Sequence, residues 1–299
     1  MKIVVMGSGA VGGYFGGRLA QAGLDVTFLA RGAHLEAMRS EGLRILSEIG
    51  DVDLGSVKTS ADASAADVIL FAVKSWDMEE AARSIAPLVG ASTMVISMQN
   101  GVEKDEVLRS VLPQCHVPGG VCYIAAHLER PGVIRHTGTM QRLLFGDDGG
   151  GLARGFLAYC LAAGIQAEMR ADIERAIWEK FVFLVGLSAT TTATRLPIGR
   201  IRSNKESRRL LLEIMQEVVA VARAKGVPLE ENYAEDRLAF CDRLPAEMTS
   251  SMHKDLERGG RLEVNWLSGS VVRLGELVGV ATPANRVISR LLAPLAGGA

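Results

Sequence analysis

Residues 2–13 read KIVVMGSGAVGG, and this stretch predicts the start of an α/β fold. Ile3–Met6 is a short apolar run that predicts a β-strand, the glycines after it predict a tight turn, and a helical pattern then continues to Gly23. Val26–Ala30 predicts a second strand. The order strand, helix, strand implies two parallel strands joined by a right-handed crossover.

The glycine loop has the spacing GxGxxG, formed by Gly7, Gly9 and Gly12. Each glycine has a purpose in this setting: the first permits a tight turn, the second lets a pyrophosphate approach the backbone, and the third lets helix and strand pack closely. The anion would lie on the N-terminus of the helix. A purely structural glycine turn is the alternative. The loop therefore predicts a dinucleotide site formed by Gly7, Ser8, Gly9, Ala10, Val11 and Gly12.

The end of the second predicted strand favours NADP(H) as the cofactor. A site for NAD would place an acidic side chain on the ribose 2′-hydroxyl, about 20 residues past the loop. This chain has Arg31 there, and a planar guanidinium with several donors suits a 2′-phosphate. An exposed surface arginine is the alternative interpretation of Arg31.

Further strands and helices continue the α/β pattern along the first half of the chain. Ala66–Val73 and Met94–Ser97 are apolar runs, and such runs suit strands buried on both faces of a parallel sheet. Met78–Leu88 between them predicts a helix.

The stretch that follows carries weaker signals. Val117–Phe145 is mixed in character, with turn signals at Pro131-Gly132 and Thr137-Gly138, and it predicts short strands that extend the same sheet. A helix at Leu152–Ala163 and a strand at Gln166–Met169 complete the predicted first domain.

After Arg170 the sequence becomes predominantly helical. Ser207–Lys225 carries an apolar stripe at spacings of four and three, and Leu267–Val278 predicts a further helix. The residues of the stripe are Leu211, Met215, Val218 and Ala222. We therefore predict an α/β protein with an N-terminal Rossmann dinucleotide-binding domain (residues 1–170) and a mostly α-helical C-terminal domain (residues 171–299). One large barrel is the alternative at this length.

The composition excludes several classes of function. With 33 basic and 34 acidic residues the formal net charge is -1, so there is no global electrostatic drive toward nucleic acid or an anionic membrane. The four cysteines form no CxxC pair and the five histidines have no metal-ligand spacing, so we expect no metal and a reduced, cytoplasmic protein. Phe181–Thr194 is too short for a membrane span. A small molecule is the expected partner.

Four polar residues stand where a ligand would explain them. Lys74 and Asn100 each follow a predicted strand of the parallel sheet, at the edge where open α/β sheets bind ligands. Lys180 precedes an apolar run, and Glu263 precedes an apolar helix. Each residue also has a plain structural interpretation. Lys74 would be a solvated lysine and Asn100 part of an Asn-Gly turn. Lys180 would pair with Glu174 or Glu179, and Glu263 would be a helix-capping charge.

Taken together, these residues resemble the ketopantoate reductase (2-dehydropantoate 2-reductase) family over nearly the whole chain. The matching features stand in the family's order and spacing: KIVVMGSGAVGGYFG from Lys2, then Arg31, Val73-Lys74, Gln99-Asn100-Gly101, Trp178-Glu179-Lys180-Phe181, Ser250-Ser251-Met252 and Glu263. The resemblance implies NADPH bound between two domains and hydride transfer to the carbonyl carbon of 2-dehydropantoate, which gives pantoate in pantothenate biosynthesis.

The resemblance also implies roles for individual residues. Lys180 corresponds to the general acid of the family. Asn100 and Ser251 correspond to substrate-binding residues, and Asn100 also lies at the cofactor. Glu263 corresponds to a ligand of substrate and cofactor hydroxyls. The predicted cofactor contacts outside the glycine loop are Arg31, Lys74, Asn100, Glu263 and, through its backbone, Ala126.

Two substrate-binding positions depart from the family pattern. One and two helical turns after the lysine, studied members carry asparagines, whereas this chain has Leu184 and Ser188. A pocket that loses hydrogen-bonding groups can lose specificity by orders of magnitude. Reduction of a different 2-oxo acid or of an imine is therefore an alternative, and a noncatalytic NADPH sensor is another. The sequence leaves a homodimer open.

Overall fold

The computed structural model describes residues 1–298, which divide into two compact units. The first unit comprises Met1–Gln99 and Lys104–Ile173. The second comprises the residues from Glu174 onward together with Asn100–Glu103, a short segment whose sequence neighbours belong to the first unit. The division falls three residues after the predicted boundary at Arg170. Separate domains at residues 1–170 and 171–299 stay a prediction.

The first unit has an α/β architecture. Its helices are α1 (Ala10–Gln21), α2 (Gly32–Glu41), α3 (Met78–Ile85), α4 (Lys104–Val111) and α5 (Leu152–Ala162). Its strands are β1 (Lys2–Met6), β2 (Asp25–Leu29), β3 (Leu43–Ser47), β4 (Val52–Leu54), β5 (Lys58–Thr59), β6 (Val68–Phe71), β7 (Met94–Ser97), β8 (Gly120–Arg130), β9 (Val133–Phe145) and β10 (Gln166–Met169).

The first sheet confirms the parallel pattern predicted from the glycine loop outward. Its strand order is β5-β2-β1-β6-β7, and neighbouring strands pair in parallel. Every residue of β6 and β7 is buried, as the two apolar runs predict. The carboxyl ends of β1, β2 and β6 therefore lie side by side, and Gly7, Arg31 and Lys74 follow at or near these ends.

The prediction for Val117–Phe145 is wrong. These residues form two long strands, β8 and β9, in a second sheet of order β10-β9-β3-β4, with β8 paired to β9. The turn at Pro131-Gly132 is correct, but Thr137-Gly138 lies inside β9, where the pairing with β8 shifts register. Strand β10 also belongs to this sheet. Exposed positions of β9 alternate with buried ones over part of its length, so the stretch appears mixed although it is continuous.

Helix α1 packs closely against both sheets because one of its faces is made of glycine. A Cβ atom on Gly16 would lie 2.6 Å from Val5 in the first sheet, and one on Gly17 would lie 2.6 Å from Ile45 in the second. Larger side chains on this face would push the helix away from the strands. The glycines thus allow α1 to lie close to the strands, which keeps the glycine loop at its N-terminus near the carboxyl end of β1.

The second unit is helical and has its own apolar core. Its helices are α6 (Ile173–Thr194), α7 (Ile198–Ser203), α8 (Lys205–Ala224), α9 (Tyr233–Cys241), α10 (Ser251–Glu257), α11 (Ser268–Val278) and α12 (Pro283–Leu292). The predicted stripe on α8 is confirmed, since all four of its residues are buried. Asn204 caps α8 by accepting hydrogen bonds from the backbone of Glu206 and Ser207. Within residues 1–298, no helix combines the length and apolar character that crossing a membrane requires.

Candidate active site

The glycine loop has room for a ligand at one glycine and none at the other two. Gly7 has φ +90, and a Cβ atom there would lie 2.6 Å from the backbone nitrogen of Val73. A Cβ on Gly12 would lie 2.9 Å from the Val5 side chain. Gly9 has no atom within 4 Å of the position its Cβ would take. The loop therefore fits a pyrophosphate that approaches at Gly9 and at the first turn of α1.

Ser8 faces away from that open position. Its hydroxyl donates to the carbonyl oxygens of Val5 and Leu29, at 3.2 and 3.1 Å, and the residue is buried. Any contact of Ser8 with a cofactor would thus involve its backbone. Ala10 and Val11 lie in the first turn of α1, where backbone N–H groups have no partner within the helix.

His34, on α2, holds the glycine loop, and it is not among the residues predicted from the sequence. Its Nδ1 accepts from the backbone nitrogen of Gly132 at 3.0 Å, so its Nε2 carries the proton and donates to the carbonyl oxygen of Ser8 at 2.8 Å. A histidine in the fifth position after the end of β2 carries no recognisable signal in the sequence, because the turn it contacts is 98 residues away.

Arg31 and Lys74 follow β2 and β6, the strands on either side of β1, and Asp77 pairs with Arg31. Arg31 precedes α2, and its guanidinium donates to the carboxylate of Asp77. Asp77 ends a short 3₁₀ turn, Ser75–Asp77, that begins directly after Lys74. The ammonium of Lys74 lies 5.5 Å from the ring centre of Trp76. Two cations and one carboxylate thus share the place where the sequence predicts a 2′-phosphate.

Ala126 lies on β8 in the second sheet, opposite His136 on β9. The register between the two strands shifts between Ile124 and Ala126, so a bulge turns the local backbone out of the regular ladder. The structure does not bring Ala126 into contact with the glycine loop by any hydrogen bond within residues 1–298. Its role stays a prediction.

In the second unit, three of the predicted residues form one hydrogen-bonded chain. The ammonium Nζ of Lys180, on α6, donates to Oδ1 of Asn100 at 3.0 Å. The amide Nδ2 of Asn100 in turn donates to Oε2 of Glu263 at 3.4 Å. Lys180 is half-buried and Glu263 is buried. The two partners of Asn100 fix the orientation of its amide, since a lysine can only donate and a carboxylate can only accept.

The neighbouring acid of Lys180 is engaged elsewhere. Glu179 accepts from the guanidinium of Arg175 at 2.9 Å, one turn earlier on α6. The alternative in which Glu179 neutralises Lys180 therefore lacks support. Lys180 is directed toward the segment Asn100–Glu103.

The segment Asn100–Glu103 contacts α11 through the side chain of Glu103. The carboxylate of Glu103 accepts from the hydroxyl of Ser270 and from Arg273, the latter at 2.7 Å. Arg273 also donates to the carbonyl oxygen of Asn265, next to the Glu263 turn, at 2.9 Å. This network, which the sequence analysis missed, holds Asn100 and Glu263 in one place within the second unit.

The remaining predicted substrate residues differ in exposure. Ser188 is fully buried, and its hydroxyl has no hydrogen-bond partner within residues 1–298. Leu184 is partly buried against the core of the unit. Ser251 is exposed at the start of α10, while its neighbour Ser250 is buried and caps that helix through His253. Lys180, Leu184 and Ser188 share a face of α6 because they are four residues apart.

Burial keeps two of the cysteines protonated. Burial raises the pKa of Cys160 to about 12 and that of Cys241 to about 11, so neither forms the thiolate that a nucleophile requires. In the part of the chain that the structure describes, no group of three or more metal-ligating side chains comes together.

Known proteins match the chain along its whole length. The profile of the family "Ketopantoate reductase PanE/ApbA" matches residues 3–150, and the profile of its C-terminal part matches residues 172–296. The 2-dehydropantoate 2-reductase of Mesorhizobium japonicum is 32% identical, over 99% of this chain and 98% of that protein. A PanE/ApbA family ketopantoate reductase from Ralstonia eutropha JMP134 has a TM-score of 0.91 at 36% identity, over 99% of this chain and 98% of that one.

A more distant structure shares the fold. D-mandelate dehydrogenase, in a ternary structure with NADH and anilino(oxo)acetate, has a TM-score of 0.87 at 21% identity. The match covers 99% of this chain and 98% of that chain.

Proposed function

Because this chain belongs to the ketopantoate reductase family of oxidoreductases, we propose that it reduces 2-dehydropantoate to pantoate with NADPH, as a step of pantothenate biosynthesis. When bound, NADPH supplies a hydride for the carbonyl carbon of the substrate. The side chains of the protein then have to hold a 2-oxo acid and give a proton to its carbonyl oxygen. The chain of hydrogen bonds from Lys180 to Glu263 is the observation that carries this proposal.

The proposed proton donor is the ammonium of Lys180. As the carbonyl oxygen gains negative charge, Nζ transfers one proton to it and the oxygen becomes the hydroxyl of the product. The amine left on Lys180 regains its proton from water. Asn100 supports this step because its Oδ1 accepts from Nζ at 3.0 Å and so limits the positions that the flexible lysine can take.

Glu263 completes the proposed group. Its carboxylate is buried and accepts from Asn100, and an ionised carboxylate is a suitable acceptor for a substrate or ribose hydroxyl. We assign the carboxylate of the substrate to Ser251 and the buried hydroxyl of Ser188. An unpartnered buried hydroxyl costs free energy unless a ligand satisfies it.

The proposed cofactor site lies on the first unit. The backbone from Gly7 to Gly12 would hold the pyrophosphate at the N-terminus of α1, Arg31 and Lys74 would hold the 2′-phosphate, and Ala126 would approach through its backbone. The open position at Gly9 supports this assignment, because that is where an anion has to come close to the chain.

A second candidate is a 2-oxo acid that lacks a distal hydroxyl. Leu184 presents no hydrogen-bonding group, so it favours an apolar substituent at its place in the pocket. The D-mandelate dehydrogenase that shares this fold binds anilino(oxo)acetate, which indicates that the fold accepts acids other than 2-dehydropantoate.

The test compares two substrates that differ in one group. Trimethylpyruvate is 2-dehydropantoate without its hydroxyl, and the loss of NADPH absorbance reports turnover of either. The proposal predicts a kcat/KM for 2-dehydropantoate at least about tenfold higher than for trimethylpyruvate. An equal or reversed preference would support the second candidate. Tight NADPH binding without turnover of any 2-oxo acid or imine would contradict both and favour a sensor.

A further inference from the structure

Asp77 is the acid that pairs with Arg31, one of the two cations assigned to the 2′-phosphate. Its carboxylate accepts from the Arg31 guanidinium across 46 residues of sequence. The two side chains differ in exposure: 79% for Arg31 and 22% for Asp77. Asp77 is therefore fixed against the protein, while Arg31 extends over it from the end of β2.

We propose that Asp77 sets the choice between NADPH and NADH by competing with the 2′-phosphate for Arg31. This inference rests on the proposed cofactor site. When NADPH binds, its 2′-phosphate needs the guanidinium that Asp77 already engages, and the two anions repel each other. When NADH binds, the ribose 2′-hydroxyl can instead donate to the same carboxylate. Asp77 thus lowers the preference for NADPH that Arg31 alone would confer.

The ion pair is not needed to hold the local backbone. Exposed ion pairs contribute about 0–1 kcal/mol to stability. The turn that carries Asp77 is held by a backbone hydrogen bond from Asp77 to Lys74 at 3.0 Å, and Met78 after it is buried in the core. Replacing the carboxylate by an amide therefore changes the charge that faces Arg31 and leaves the fold in place.

The experiment measures the dissociation constants of NADPH and NADH, from nicotinamide fluorescence, for the wild type and for Asp77→Asn. We expect Asp77→Asn to bind NADPH about fivefold more tightly, which corresponds to about 1 kcal/mol, and to bind NADH no more tightly than the wild type. Titration with 2′,5′-ADP and with 5′-AMP repeats the comparison without the nicotinamide, so the readout is independent of turnover.

Glu79→Gln is the matched control. Glu79 lies two residues further on, is similarly acidic and is paired with Arg83 at 2.8 Å, so its removal changes the net charge equally without touching Arg31. We expect it to leave the NADPH to NADH ratio unchanged. An equal gain in NADPH affinity for Glu79→Gln would overturn the inference, because a general charge effect would then explain it.

The double variant Arg31→Ala, Asp77→Asn tests the route of the effect. Competition for Arg31 predicts that the gain from Asp77→Asn disappears in the Arg31→Ala background. A gain that persists there, or an unchanged ratio in Asp77→Asn itself, would overturn the inference. Binding of NADPH by the wild type is measured first. If the wild type binds neither NADPH nor NADH, the proposed function fails as well as the inference about Asp77. If it binds NADPH, the results for the variants test the inference alone.

Discussion

Leu184 and Ser188 follow Lys180 at intervals of one helical turn, so they lie on the face of α6 that carries the proposed proton donor. The family pattern to which the sequence was compared has asparagines at both positions. The double variant Leu184→Asn, Ser188→Asn would restore two amide groups to that face.

We expect this double variant to improve kcat/KM for 2-dehydropantoate by about tenfold and to leave trimethylpyruvate unimproved. The amide at position 184 can meet a hydroxyl that only 2-dehydropantoate has, while the amide at position 188 keeps a donor for the substrate carboxylate. Initial rates with both substrates provide the measurement. No gain with 2-dehydropantoate would mean that other side chains determine the recognition of its hydroxyl.

The hydroxyl of Ser188 offers a separate test of the pocket. It is buried without a partner within residues 1–298, so Ser188→Ala removes an unsatisfied group and is expected to leave Tm unchanged or to raise it. If that hydroxyl binds substrate, KM rises in the same variant.

Thr191→Val serves as the comparison for Ser188→Ala. The Thr191 hydroxyl donates to the carbonyl oxygen of Leu187 at 2.7 Å and lies 3.1 Å from that of Ser250. Its loss is expected to destabilise the protein by about 1 kcal/mol. A Ser188→Ala variant as unstable as Thr191→Val would contradict the assignment of Ser188 to substrate.

The sequence singles out Lys180, Asn100 and Glu263 because each is polar beside an apolar segment. Their connection is not predictable, since 80 residues separate Asn100 from Lys180 and 163 separate it from Glu263. Asp77 and His34 give no signal, because an acid in a turn and a histidine on a helix are ordinary on protein surfaces. Their importance depends on the residues that the fold brings to them.

At the scale of elements, Asp148 determines how α5 begins. Its two carboxylate oxygens accept from the backbone nitrogens of Leu152 and Ala153, at 3.2 and 3.0 Å. Burial acts to raise the pKa of Asp148, but these backbone donors outweigh it and hold the pKa below its usual value. A lowered pKa in the folded state means that ionised Asp148 stabilises the protein at neutral pH.

Asp148→Asn is therefore expected to reduce the free energy of unfolding by about 1 kcal/mol at pH 7. The difference from the wild type should shrink as the pH falls below about 4, where Asp148 of the unfolded wild type takes up a proton. Urea unfolding at several pH values measures this. Asp147→Asn is the control, because an amide can still accept from Gly149; an equal loss in that variant would contradict the account.

Elements with strong local signals are predictable, and elements defined by distant pairing are not. The apolar runs of β6 and β7 and the stripe of α8 are correct because each is buried as a unit. The short strands β3 and β4 were not predicted. Strand β3 pairs with residues of β9 that lie about ninety positions away in the sequence. Only Leu43 and Ile45 of β3 are fully buried, so the strand has no continuous apolar run.

For the whole molecule, the order of an α/β part before a helical part is evident from the sequence, but the number of sheets is not. Residues predicted to extend one sheet form a second, because β9 pairs with β3 and β10 in parallel. Nor does the sequence predict that Asn100–Glu103 belongs to the second unit. Side chains of Glu103, Ser270 and Arg273 determine it, and no local pattern reveals their contact.

Lys180 gives the proton in the proposed reduction of a 2-oxo acid. The most direct test measures kcat with 2-dehydropantoate and the dissociation constant of NADPH for Lys180→Ala, beside Lys254→Ala as a control at an exposed lysine. We predict that Lys180→Ala lowers kcat by at least about 100-fold and leaves NADPH affinity nearly unchanged, with Lys254→Ala like the wild type. An unchanged kcat, or an equal loss of turnover and NADPH affinity, would show that Lys180 is not the proton donor.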